Sequence, residues 1–273
     1  MNYGGEKMAV KIGYCALRWR NPELEPALTE LKKIGWDGWE CRLPLDWLGT
    51  PRRLRQICDN AEMPVAVLAA NGTPEDLSWE NVERNKRRME YAAELEADCF
   101  MFMNRGRPDT VTEDVVIASA AAAESWAEYA AQFNLEISYH IHTNCLVDSI
   151  QDWQLYMSRL DKTKLCIDVS HSQLWGYDPV DSIQDFQSQL NYIHLQDYSS
   201  ASIDAGGKHQ PAWVSVGLSE NVNFPAIMKA LETIGFDRWV TCCPGQPIPG
   251  QEDVMSEVQC SRQMREYIQS LGY

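Results

Sequence analysis

The sequence predicts a single (β/α)8 barrel, and three observations carry that expectation. Eight short apolar segments alternate strictly with helical patterns, which implies parallel strands joined by crossover helices. The length of 273 residues suits one closed barrel domain. The turn after the first strand, GYCALRWR, lacks the spaced glycines of a dinucleotide-binding open sheet, the competing arrangement. Residues 1–7 are expected to be a loose leader and residues 8–273 the barrel.

The first strand is expected at VKIGYC (10–15). It leads into NPELEPALTELKKIG, where Asn21 reads as a cap, Pro22 as a first-turn residue and Gly35 as the stop. GWECRL (38–43) and PVAVLAA (64–70) flank TPRRLRQICDNA, which opens on Thr50-Pro51. SWENVERNKRRMEYAAELEA carries apolar Val82, Met89, Ala92 and Leu95 and precedes CFMFMN (99–104). The alanine-rich TEDVVIASAAAAESWAEYAAQF leads to LEISYHIH (135–142). DSIQDWQLYMSRL, KLCIDVS (164–170), DPVDSIQDFQSQL and LNYIHLQD (190–197) continue the alternation. NFPAIMKALETIG, RWVTCC (238–243) and QEDVMSEVQCSRQMREYIQSLG complete it. Residues 198–222 are expected to be a long loop, and a loop of that length inside a compact domain is commonly functional.

The formal charge of −15 argues against binding to nucleic acid or to anionic membrane surfaces. No apolar run reaches the length of a membrane span, and the first residues lack a signal-peptide core. Nine cysteines, without repeated C-x-x-C spacing, lie mostly in strand segments and read as reduced, buried thiols of a cytoplasmic protein.

All five histidines, His140, His142, His171, His194 and His209, lie in the second half of the chain. Residues two apart share a strand face, so His140 and His142 face together, as do Cys166 with Asp168, His194 with Gln196, Glu40 with Arg42, and Thr241 with Cys243. The apolar faces belong against the helices, which turns these polar faces into the barrel. Active sites of this fold sit at the C-terminal strand ends. His140, Asp168 and His194 should therefore converge, and imidazole with carboxylate is metal-ligand chemistry. A lone strand-end histidine is more often structural, and Glu40 could simply pair with Arg42 or Arg18; three such residues on consecutive strands favour a site.

With these residues in view, the chain resembles the xylose-isomerase-like TIM-barrel superfamily of sugar isomerases and epimerases, which includes inosose dehydratase. GWDGWE (35–40), CIDVSHS (166–172), YIHLQDY (192–198) and SVGLSENVNFPAIMKALETIGF (215–236) carry the resemblance, with Ser219 at a usual glycine. It implies one divalent metal ion (Zn, Mn, Co or Mg) held by residues from strands five to eight. Asp168 and His194 match by motif, while His140 and Cys243 stand where the family carries glutamates. Two histidines, an aspartate and a cysteine are softer donors that suit zinc. The Tyr139-His140-Ile141-His142 stretch is similar to that of inosose dehydratase.

The activity implied is a sugar isomerase or epimerase acting on a small polyol or keto-sugar by proton abstraction next to a carbonyl. A dehydratase, or a carbohydrate-binding protein on the same scaffold, are the alternatives. A DNA-repair nuclease of the endonuclease IV type is disfavoured by the charge. His171 and His140 are the expected base or proton shuttle. Glu40, His142, His171, Lys208 and His209 are expected at the substrate, with Lys208 and His209 on a closing loop. Trp19, Trp47, Trp175 and Trp213 suit stacking on sugar, and equally a homo-oligomer interface or core filling.

Overall fold

The computed structural model describes residues 10–273, so the expected leader lies outside the described residues. Ten strands are present: β1 (Lys11–Cys15), β2 (Gly38–Cys41), β3 (Val65–Ala69), β4 (Cys99–Phe102), β5 (Glu136–His140), β6 (Lys164–Asp168), β7 (Leu190–Leu195), β8 (Asp197–Ile203), β9 (His209–Val214) and β10 (Trp239–Cys242). Eight of them close a barrel in the order β1-β10-β7-β6-β5-β4-β3-β2, and β8 and β9 form a separate two-stranded sheet. Every neighbouring pair around the barrel is parallel. The molecule is thus a single-domain (β/α)8 barrel, as the alternation predicts.

The shell comprises α1 (Leu24–Ile34), α2 (Leu45–Leu48), α3 (Pro51–Ala61), α4 (Trp79–Glu94), α5 (Glu113–Ala131), α6 (Ile150–Met157), α7 (Val169–Leu174), α8 (Pro179–Asp185), α9 (Phe224–Thr233) and α10 (Val254–Ser270). Local signals fix most starts. Thr50, Ser78, Thr112 and Asn223 each accept a first-turn backbone N–H, and Gly35 ends α1 in the left-handed region at φ 105. Asn21 does not cap α1, which begins at Leu24 after Glu23. Pro26 explains the shift: it has no N–H to donate, so it fits the first helical turn and not a second.

Outward strand residues such as Trp39, Phe100, Ile137, Leu165, Ile193 and Val240 join the helices in the main core. Inward residues Val67, Cys99, Met101, Cys166, Tyr192 and Trp239 fill the barrel. The Trp239 indole occupies space that Gly13 and Gly38 leave open. A Cβ at Gly38 would lie 2.5 Å from the indole and 2.8 Å from the Pro64 carbonyl. Gly38→Ala is therefore expected to lower stability by about 1–3 kcal/mol, read from the urea midpoint at unchanged slope.

Two features depart from expectation. Short helix α7 follows β6 directly, and short helix α2 follows β2 after Arg42, Leu43 and Pro44. The expected loop at 198–222 is instead the β8–β9 hairpin followed by turns, with Asp204 accepting from the N–H groups of Gly206 and Lys208 at its tip. Most of β8 is exposed on both faces, and its Ser199-Ser200-Ala201-Ser202 stretch carries no apolar alternation to announce a strand.

Candidate functional site

Register makes Asp168 and His194 direct partners, with His140 and Cys243 on the inward faces of the strands on either side. Asp168 pairs with His194, His194 with Thr241, and His140 with Cys166. His140 is the last residue of β5 and Asp168 the last of β6, while Cys243 directly follows β10. All four candidate ligands meet. His140 Nε2 lies 3.0 Å from His194 Nδ1 and 3.6 Å from Asp168 Oδ2. Asp168 Oδ2 lies 3.8 Å from His194 Nδ1, and Cys243 Sγ lies 3.3 Å from the same nitrogen.

These atoms fit a divalent ion. Bonds of about 2.0–2.1 Å to a tetrahedral centre place donor atoms about 3.3–3.4 Å apart, close to the spacing of this triangle. Asp168 divides its carboxylate: Oδ1 accepts from the N–H groups of Ser170 and His171 at the start of α7, while buried Oδ2 has no hydrogen-bond partner. A buried carboxylate oxygen aimed at two imidazole nitrogens is an open ligand position.

The charges around the site are strongly coupled. Glu40 is fully buried across the barrel and bonds His194 Nε2, the Tyr192 hydroxyl (2.6 Å), Arg42 Nε (2.5 Å) and the Cys15 thiol (3.2 Å). Burial opposes charge on His194, but the Glu40 and Asp168 carboxylates carry its pKa up to about 9. Burial opposes ionisation of Glu40 too, yet Arg42 and His194 hold its carboxyl well below the usual range. Burial pushes His140 down to about 3, so it is a neutral imidazole. His142 and His171 are lowered as well, in both cases chiefly by burial.

Thr143 sets the protons of the two remaining histidines. Its backbone N–H donates to His171 Nδ1 (3.2 Å), so neutral His171 carries its proton on Nε2. The Thr143 carbonyl is 2.6 Å from His142 Nδ1 and can only accept, so His142 carries its proton on Nδ1 and presents a bare Nε2. The two rings lie side by side, centroids 4.0 Å apart. His171 is buried and points Nε2 toward Asp168, whereas half-buried His142 lies at the mouth.

The other expected substrate residues are placed differently. Glu40 sits behind His194, with its oxygens occupied by the protein's own donors, rather than at the open mouth. Lys208 stands exposed in the hairpin turn. His209 contributes backbone: its N–H donates to Asn144 Oδ1 and its carbonyl accepts from Asn144 Nδ2, each at 2.9 Å. These paired bonds pin the hairpin against the end of β5. Asn144 sits in the left-handed region at φ 63, so Asn144→Gly removes the side chain without backbone strain and is expected to speed backbone hydrogen exchange in residues 205–212 with a melting temperature nearly unchanged. Trp213 meets His171 edge-on, centroids 5.2 Å apart at 72°. Trp19 is instead buried against Trp39, Trp175 donates to Asp148, and Trp47 is partly exposed. The sequence reading overlooked Cys15, Thr143 and Asn144. Cys15 was within reach, because it shares the inward face of β1 with Gly13.

A cleft of about 200 Å³ lined by Arg42, Thr73, Met101 and Asn104 opens at the barrel mouth. A larger one, about 570 Å³, lies against α10 and the loop after β10; the histidines do not line it, so side-chain chemistry and not size places the site. Among the described residues, no helix is long and apolar enough to cross a membrane.

The sequence model of a family described as xylose isomerase-like TIM barrel matches residues 28–264. An inosose dehydratase from Geobacillus kaustophilus (strain HTA426) is 26% identical over 73 residues, 26% of this chain and 24% of that protein. The match thus spans about a quarter of that relative. A sugar phosphate isomerase/epimerase from Parabacteroides distasonis superposes with a TM-score of 0.72 at 16% identity, covering 97% of this chain and 95% of that one. The probable 3-DHS dehydratase from Bacillus anthracis gives 0.71 at 15%, covering 92% and 98%. The 3-keto-D-glucoside 4-epimerase from E. coli gives 0.70 at 15%, covering 92% and 99%. At these identities the structural likeness concerns the fold.

Proposed function

The chain belongs to the xylose isomerase-like TIM barrel family, and from that premise we propose that it is a metal-dependent dehydratase of a small keto-polyol. His140, Asp168, His194 and Cys243 are the residues that would hold the ion. When bound, a divalent ion there supplies Lewis acidity toward a carbonyl oxygen, easing loss of a proton from the adjacent carbon.

The observation that carries the reading is the side-by-side placement of His142 and His171 with opposite tautomers. His142 Nε2, unprotonated and at the mouth, takes the C–H proton next to the carbonyl. His171, kept neutral by burial, gives a hydrogen bond from Nε2–H to a substrate oxygen and orients it. The proton on His142 then leaves with the β-hydroxyl on the same face, so that water departs and a C=C bond forms next to the carbonyl. His140 is not the base in this account, because its Nε2 is turned into the ligand triangle. Epimerisation needs a proton removed from one face and returned to the other, and both available imidazoles lie on one side. Isomerisation by return of the same proton is the second reading, supported by the same single-sided arrangement. The inosose dehydratase likeness makes cyclic keto-polyols the first substrates to try.

The test is incubation with inososes and keto-sugars in D2O in the presence of Zn²⁺, Co²⁺ or Mn²⁺. The expected result is appearance of a conjugated carbonyl product. His142→Ala should slow it by about 10²–10⁴-fold, and His171→Ala by about 10²–10³-fold. Inverted product without water loss would overturn the dehydratase reading.

A further inference from the structure

Cys15 takes no part in the reaction just described, yet it lies beside the candidate ligands. β1 and β10 are parallel neighbours with Tyr14 opposite Cys242, so Cys15 and Cys243 follow as the next pair, at the inward side. The sulfurs of Cys15 and Cys243 and a ring nitrogen of His194 all lie within 4.8 Å of one another. Both thiols are free and buried. Cys15 is tied to the site from a second direction, since its thiol donates to Glu40 Oε1 at 3.2 Å, and Glu40 holds His194. Arg42 ion-pairs with Glu40, so a cation is already held beside the carboxylate that receives the Cys15 thiol.

Building on the metal reading above, we propose that Cys15 is a second sulfur ligand beside Cys243, and that the site selects a thiophilic divalent ion of the zinc class over Mg²⁺ or Mn²⁺. Thiolates bind zinc and cobalt far better than the hard oxygen-seeking cations. Binding releases the two thiol protons to solvent and leaves both sulfurs anionic, with His194 as the shared nitrogen donor and Arg42 as the nearby countercharge.

The test uses the full chain, reduced and loaded with Co²⁺ alone, and reads thiolate-to-cobalt charge transfer in the near ultraviolet together with cobalt bound per chain. The expected band corresponds to two thiolates per cobalt, falls to about half in Cys15→Ser and in Cys243→Ser, and vanishes in the double variant. Cys15→Ala serves as a second variant if the serine form folds poorly. A band of one-thiolate strength in the unaltered chain, or one unchanged in Cys15→Ser, overturns the proposal. Stoichiometric cobalt with no such band overturns it while leaving the metal reading intact. Failure to retain cobalt overturns both.

Discussion

Glu40→Gln is expected to lower the stability by about 3–5 kcal/mol, the range for breaking a buried ion pair and leaving its partner uncompensated. Glu40 is the shared anion for Arg42 and His194, and its side chain is fully buried. The amide oxygen can still accept from Tyr192 and His194, but its NH2 replaces the oxygen that accepts from Arg42 Nε and the Cys15 thiol, so those two hydrogen bonds are lost along with the charge. For a chain of this size the melting temperature should fall by roughly 10 °C. Pairing it with Arg42→Gln should recover part of the loss, because the stranded guanidinium is gone. A single variant that melts with the native protein would show that the carboxylate does not anchor this cluster.

Asp168→Asn is expected to weaken metal affinity by more than about 100-fold, beyond what the loss of an outer-shell partner typically costs. The choice of Asn is deliberate. It can keep an oxygen for the N–H groups of Ser170 and His171, so α7 stays capped. Asp168→Ala removes that acceptor as well and should cost about 1 kcal/mol more in the metal-free protein. Affinity is read by competition with a chelator of known strength. Equal affinity in the native and Asn forms would remove Asp168 from the ligand set.

Proton competition gives the pH dependence a definite sign. With its pKa raised to about 9, His194 is protonated in the metal-free site at neutral pH. Binding at Nδ1 must displace that proton, so affinity should fall by about tenfold for each unit of pH lowered below 9 for this group alone. Glu40→Gln removes the carboxylate that raises His194 and should flatten the dependence near neutrality. Calorimetry in buffers of different ionisation enthalpy counts the protons released.

The barrel, and the convergence of the four residues proposed as ligands, were legible for one reason: period-two alternation at strand ends. It assigned His140, Asp168, His194 and Cys243 to the inside, and the order of neighbouring parallel strands then brought their C-terminal ends together. The place of Glu40 was not legible, because its bond to His194 joins positions 154 residues apart across the barrel. The expectation that it touches substrate gives way to its use as an anchor. The opposite tautomers of His142 and His171 were hidden for a different reason. They depend on the backbone N–H and carbonyl of Thr143, groups that every residue type but proline has. The expected loop at 198–222 concealed a hairpin whose first strand is mostly exposed on both faces, and Asn144, which pins it, had no motif to mark it.

Elemental analysis of the native chain shows whether this barrel mouth holds a metal ion. The protein is to be purified without chelators or an immobilised-metal column, and reduced throughout. The account predicts close to one equivalent of a divalent ion of the zinc class, lost in Asp168→Asn. A chain that carries none, and takes up none from Zn²⁺, Co²⁺ or Mn²⁺ solutions, would contradict it.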